Sequence, residues 1–268
     1  MGLNTKMIAI FTTMNCTLNC KLCGTFAPKF KEAGIRYSAD PWQVQQCIDE
    51  LFKIYDYIEH IDFTGGEPLL WEGLGECLSY ALNYRRQFGV VRVVTNGTLL
   101  PSKGVLSAIL PFKSQVDFMI DNYGALSTKV TELKSVLDSN QITYREIAYH
   151  DENQYFGGWI DYRDLSYKNY SDEELNRVYN TCMPAHNMCL AVFDSHLYQC
   201  TVAATGIALG KIPNDNSTES VSLLDKDITL EDKRGIAEQF GKRVLTACRY
   251  CKGFDPETAE RFPAAEQI

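Results

Sequence analysis

The sequence predicts an α/β protein built on a parallel sheet, curved or closed, followed by a smaller cysteine-rich unit. Two observations carry this. Short β-branched runs alternate with helical patterns through the first two thirds, at 7–13, 60–64, 90–95, 115–120 and 143–150. Five of the ten cysteines then gather after residue 181, where the alternation fades. Strand–helix–strand repetition implies right-handed crossovers, with functional groups on loops at the strands' C-terminal ends. Between the first two runs, Pro41-Trp42 opens a stretch with Val44, Cys47, Ile48, Leu51 and Ile54 at helical spacing. A second helix carries Leu74, Cys77, Leu78, Ala81 and Leu82 on one face, a third spans 102–110, and a fourth runs from Ser127 to Leu137. Cys47 and Cys77 fall on apolar stripes and read as core, because cysteine packs as a small hydrophobe. The polar tract Asn214–Ser220 reads as an exposed loop.

Composition narrows the function. With 45% hydrophobic and 22% charged residues, the chain has the makeup of a packed soluble body rather than a disordered one. A net charge of −8 without a dense Lys/Arg run leaves no footprint for gripping nucleic acid. No apolar run reaches the roughly 18 residues of a membrane span, and MGLNTKMIAIF is too short for a signal peptide, so a cytoplasmic location is expected. There, thiols stay reduced, and ten cysteines point to metal or catalysis.

Cys16, Cys20 and Cys23 follow the first strand on a single loop. Three thiolates can hold three irons of a [4Fe–4S] cubane and leave the fourth open to a small molecule. A zinc loop is the alternative; it wants four ligands, and no histidine lies before His60 to close it. This CxxxCxxC in the first strand-to-helix loop resembles the signature of the radical S-adenosylmethionine enzymes. That resemblance implies a partial (β/α)6 TIM-like barrel in which S-adenosylmethionine chelates the open iron through its amino and carboxylate groups. One electron from the reduced cluster then breaks a carbon–sulfur bond, leaving methionine and a 5′-deoxyadenosyl radical that takes a substrate hydrogen. Leu22 occupies the position that is aromatic in many members, so its adenine contact would be aliphatic.

Thr64-Gly65-Gly66-Glu67-Pro68 ends the second strand. Two glycines let backbone approach a ligand, and a carboxylate accepts from ammonium. One strand–helix–strand unit after CxxxCxxC, the motif is similar to the family's methionyl-amine site, which implies cofactor roles for Gly65, Gly66 and Glu67. Thr95-Asn96-Gly97 is similar to the family's motif at the third strand end, with Thr95 and Asn96 on the cofactor side. Asp121 ends the fourth strand, where members often hold the ribose hydroxyls; a solvated turn carboxylate is an equal reading.

A CxxC pair at Cys248 and Cys251, with two upstream cysteines, gives four ligands for zinc or for a fully ligated iron–sulfur cluster. The layout resembles the family's short auxiliary-cluster extension, the twitch domain, C-x(9–15)-G-x4-C before a later CxxC. Ser195 stands where that pattern has glycine, in the hairpin turn Asp194-Ser195-His196; twelve residues separate it from Cys182 and five from Cys189. The resemblance therefore implies Cys182, Cys200, Cys248 and Cys251 as ligands, with Cys189 a spare thiol or an alternative one. The division expected is 1–180 for the barrel, first cluster and S-adenosylmethionine, and 181–268 for the auxiliary [4Fe–4S] unit.

A fully capped second cluster suits electron transfer, so hydrogen abstraction would become net oxidation of a small polar substrate such as a sugar or cyclitol; a purely structural cluster is the alternative. An electron donor such as flavodoxin or ferredoxin is the expected partner. Tyr144, Tyr149, His150, Tyr155, Phe156, Trp159, Tyr162, Tyr167 and Tyr170 offer rings with polar tips for a pocket, with Glu146, His150 or Asp151 placed to take a proton. The alternatives are a maturase of ribosomally made peptides, disfavoured because the chain opens on its first barrel strand, and a non-catalytic zinc or iron–sulfur protein.

Overall fold

A computed structural model describes residues 2–155, 159–186, 189–214 and 218–268. In chain order the elements are β1 (Asn4–Thr13), α1 (Ala27–Glu32), α2 (Pro41–Ile54), β2 (Tyr57–Gly65), α3 (Leu74–Ala81), β3 (Phe88–Thr95), α4 (Lys103–Ile109), β4 (Val116–Asn122), α5 (Val130–Asn140) and β5 (Thr143–Ala148). They continue as α6 (Asp172–Thr181), α7 (Met183–His186), β6 (Cys189–Phe193), β7 (His196–Tyr198), α8 (Thr201–Ala208), β8 (Ser220–Ser222) and α9 (Leu230–Glu238). Phe156 and residues 215–217 of the polar tract lie outside the described residues.

Among the described residues, eight strands form one sheet in the order β5-β4-β3-β2-β1-β6-β7-β8. The first six neighbours run parallel, and β7 and β8 add antiparallel at the far side. The sheet is open, a partial barrel. The chain after residue 181 contributes β6, β7 and β8 to this sheet, with β6 pairing parallel to β1 from Met7↔Cys189 to Ile10↔Val192.

Local chemistry sets the helix boundaries. Proline at the first position of α2 has no N–H to strand, and Asp40 caps it by accepting from Gln43 N–H at 2.9 Å, a contact worth about 1 kcal/mol. Ser171 and Glu174 close α6 with a reciprocal capping box. Gln141 ends α5 in the left-handed conformation at φ 56°.

Two cores separate the faces of the sheet. On the outer face, Ile8, Ile10, Ile61, Phe63, Val91, Val93, Phe118 and Ile120 pack against α2 to α5 and α9. On the inner face, Ala9, Phe11, Ala191 and Phe193 pack against α1 and α8, with Cys23, Cys200 and Cys248 at the margin. In register with Ala9 lies a buried polar row, Asp62, Arg92 and Asp117, in which Arg92 Nε donates to Asp117 at 3.0 Å and Nη1 to Asp62 at 3.5 Å. Parallel order places the C-terminal ends of β1, β2, β3 and β4 side by side, one interstrand spacing apart. The sequence motifs stand at those ends.

Candidate functional site

Cys16, Cys20 and Cys23 occupy the loop after β1, with Cys20 buried and the other two half-buried. Asn96 Nδ2 and Leu18 N–H both reach Cys16 Sγ at 3.5 Å, Gln267 Nε2 donates to Cys20 Sγ at 3.3 Å, and Cys23 Sγ lies 3.1 Å from the Thr25 hydroxyl. Burial pushes the Cys16 thiol up to about 11 and Cys20 to about 12, so metal binding must release protons. Three sulfurs from one loop, with no fourth cysteine on that loop, fit an iron–sulfur cubane with an open iron.

Glu67 stands one strand away and is fully buried. Its Oε1 accepts from Thr95 Oγ1 at 2.9 Å and Leu69 N–H at 3.1 Å, and Oε2 accepts from Asn96 N–H at 2.9 Å. A carboxylate has about four lone-pair directions, so one remains on Oε2 for an ammonium donor. Gly65, at φ 132°, and Gly66 bring this turn against the cysteine loop through Gly66 N–H to Thr13 O at 2.6 Å and Glu67 N–H to Asn15 O at 2.8 Å. Asp121 completes the rim. Its Oδ1 is buried without a hydrogen-bond partner among the described residues, as a group waiting for a ligand hydroxyl would be.

Both acids share an electrostatic signature. Burial raises Glu67 to about 7 against three opposing donors, and burial followed by repulsion from Glu67 raises Asp121 to about 7. A folded pKa above the unfolded one gives stability that is full below about 4 and lost as pH rises to about 7. The metal-free protein is therefore expected to melt at a lower temperature at pH 7.5 than at pH 5.5. A Glu67→Gln, Asp121→Asn double variant, followed by calorimetry at both pH values, should flatten that difference.

The second cysteine group surrounds a cavity of about 360 Å³ lined by Cys182, Cys189, Cys200, Cys248 and Cys251. Cys182 ends α6, Cys200 caps α8 by accepting from Ala203 N–H at 3.4 Å, and Cys251 accepts from Gly253 N–H at 3.3 Å. Burial raises Cys200, Cys248 and Cys251, and each of these is raised further by Cys182. The neighbours acting on Cys189 are Asp62, Cys182 and Lys6. Gly24 and Thr25 line the same cavity, and Thr25 also touches Cys23. Asp194 and Ser195 both adopt left-handed backbone, at φ 46° and 61°, in the two-residue turn joining β6 to β7. That conformation favours glycine, and this chain carries Asp194 and Ser195 there.

A family model described as a 4Fe-4S single cluster domain matches residues 5–144, just over half of the chain. The chain belongs to this 4Fe-4S domain family. No curated protein matches it by sequence. Among solved structures, anSMEcpe with bound AdoMet (S-adenosylmethionine) and a peptide is 12% identical with a TM-score of 0.55, over 93% of this chain and 88% of that one. BtrN in complex with AdoMet and 2-DOIA is 16% identical with a TM-score of 0.53, over 98% of both chains. At such identities the likeness is one of fold.

Within the 4Fe-4S domain, several sequence-predicted residues stand together: the three cysteines, Gly65 to Glu67, Thr95 and Asn96. Thr95 and Asn96 are spent on holding Glu67 and Cys16. Leu22 is buried on the cysteine loop. Of the aromatic segment, Tyr149 stacks on Tyr123 at 5.5 Å, and Trp159 meets Tyr123 edge-on at 5.6 Å. Tyr162 lines the second cavity, while Tyr155 and Tyr167 are exposed. Glu146 is bound to Lys134 at 2.8 Å and Asn122 at 2.6 Å, which holds its carboxyl low, and His150 pairs with Asp151 at 2.7 Å. Three supporting residues lacked a sequence signal. Ser127 donates to Asn96 O at 2.6 Å, Thr98 accompanies Thr17 at 2.6 Å, and Gln267 reaches Cys20. Among the described residues no helix is long and apolar enough to cross a membrane.

Proposed function

We propose that the chain is a radical S-adenosylmethionine enzyme oxidising a small polar substrate, such as a sugar or cyclitol. The observation that carries this is the shared rim: three cysteines on one loop, beside a buried glutamate whose Oε2 has one lone-pair direction left among its described partners. The bound cluster and S-adenosylmethionine supply the chemistry, reductive carbon–sulfur cleavage to methionine and a 5′-deoxyadenosyl radical. Cys16, Cys20 and Cys23 hold the iron, Glu67 takes the methionyl ammonium against the carbonyl edge of Gly65 and Gly66, and Asp121 takes the ribose hydroxyls. Leu22 packs toward the adenine. The polar row Asp62, Arg92 and Asp117 on the inner face supports a hydroxyl-bearing substrate, and the Tyr123–Tyr149–Trp159 group supports a walled pocket.

Residues 181–268 form the twitch-like unit, with Cys182, Cys200, Cys248 and Cys251 holding a second [4Fe–4S] cluster. Among the described residues no three His, Cys, Asp or Glu side chains converge as a site for a lone metal ion. Four thiols lining one cavity give enough ligands for zinc or for a fully ligated iron–sulfur cluster, and the cluster is the reading we propose. Thr25, common to both surroundings, supports electron transfer between the two groups and so net oxidation. Cys182→Ala is expected to lower bound iron from about eight to about four per chain, and Cys189→Ala to leave it at about eight; iron and sulfide assays after anaerobic reconstitution check this. An electron donor such as flavodoxin or ferredoxin supplies the electron.

The function is tested by incubating reduced protein with S-adenosylmethionine and a panel of deuterated polyols and short peptides. Deuterium in 5′-deoxyadenosine from a polyol, with its ketone as product, is the expected outcome. Deuterium from peptides alone replaces this reading with a peptide maturase.

A further inference from the structure

Residues 264–268 lie across the first cysteine loop as a strap. Lys21 N–H donates to Glu266 O at 2.7 Å, Ile268 N–H donates to Asn19 O at 3.0 Å, and Cys20 and Gln267 form an antiparallel bridge. Lys21 Nζ adds an ion pair to Glu266 at 3.0 Å. Behind the strap, Ala264 N–H donates to Gln154 O at 2.8 Å. Ala265 is buried at φ 56°, a conformation that a non-glycine residue keeps only where its surroundings over-determine it.

The orientation of the Gln267 amide follows from its neighbours. Asn19 N–H can only donate, and it faces Oε1 at 2.7 Å; the Ala265 carbonyl can only accept, and it faces Nε2 at 2.7 Å. A flipped amide would set donor against donor and acceptor against acceptor. With one Nε2 proton on Ala265, the other points at Cys20 Sγ, 3.3 Å away.

We infer that Gln267 is a positioning residue of the first cluster, donating a hydrogen bond to the Cys20 sulfur and thereby raising the cluster's reduction potential. This rests on Cys20 being a ligand, as proposed above. Reduction adds negative charge that spreads onto the sulfurs, so a donor fixed on one of them stabilises the reduced cluster more than the oxidised one. Cys20 is the buried member of the triad, where an added donor is least diluted by water.

Gln267→Leu keeps the side chain's reach without a donor, and Gln267→Glu replaces the donor with an acceptor carrying charge. In the full chain, reconstituted without oxygen, a potentiometric titration would follow the electron paramagnetic resonance signal that S-adenosylmethionine perturbs. The potential is expected to fall in Gln267→Leu and further in Gln267→Glu, with iron content unchanged. Potentials equal to the parent's in both variants overturn the inference. So does faster iron loss to a chelator with the remaining cluster's potential unmoved, the pattern of a purely mechanical strap. Failure of the ligand assignment reads differently: Cys20→Ala would then keep the perturbed signal, and the inference falls with it.

Discussion

Replacing Cys20 by alanine is expected to lower bound iron from about eight to about four per chain and to abolish 5′-deoxyadenosine formation, at least about 100-fold. On the proposed ligand assignment an open iron would exist only while the other three are held, and the loop offers three thiols, Cys16, Cys20 and Cys23, for that. Cys16→Ala and Cys23→Ala should behave alike. Cys47→Ala and Cys77→Ala are the contrast, since Cys47 lies on α2 and Cys77 on α3, both buried in the outer core. They should keep full iron and lose only stability, about 1 kcal/mol each. Iron assay, product chromatography and urea denaturation separate the two classes.

Gly66→Ala is expected to cost about 3 kcal/mol of stability, a large effect for one methyl group. A Cβ at this position would stand 2.1 Å from Asn15 O and 2.6 Å from Asn15 C, and these are backbone atoms that cannot swing aside. Asn15 leads directly into Cys16, so the displacement passes to the cluster loop, and iron occupancy should fall along with the denaturation midpoint. Gly235→Ala is the internal control. It lies in α9 with nothing within 4 Å of an added Cβ, and it should stabilise by up to about 1 kcal/mol through helix propensity.

Cys16–Cys23, Gly65–Glu67 and Thr95–Asn96 were legible in the sequence because each motif follows a β-branched strand, and parallel strands deliver successive loops to one rim. The position of β6 was not. CLAVF at 189–193 is five residues long and lies among cysteines that drew attention to metal ligation, and nothing local says that it joins β1 rather than extending from β5. Cys189, expected as a spare thiol or an alternative ligand, opens β6 and lines the same cavity as Cys182, Cys200, Cys248 and Cys251. The helix α6 was missed, although the S-x-x-E box at Ser171–Glu174 that starts it is a local signal that could have found it. The buried row was also missed, although Arg92 inside VVRVVT could have pointed to it: a cation in an apolar strand must find partners, here Asp62 and Asp117 on neighbouring strands. The contact from Gln267 to Cys20 spans 247 positions and has no local pattern; only the folded chain brings the strap to the loop.

The central claim, that the β1 loop and the Glu67 rim together hold a cluster able to cleave S-adenosylmethionine, is tested most directly by anaerobic reduction of the reconstituted protein with that cofactor. Methionine and 5′-deoxyadenosine formed in equal amounts, and lost in Cys20→Ala, are the predicted result. Intact S-adenosylmethionine beside a fully assembled and reduced first cluster would contradict it.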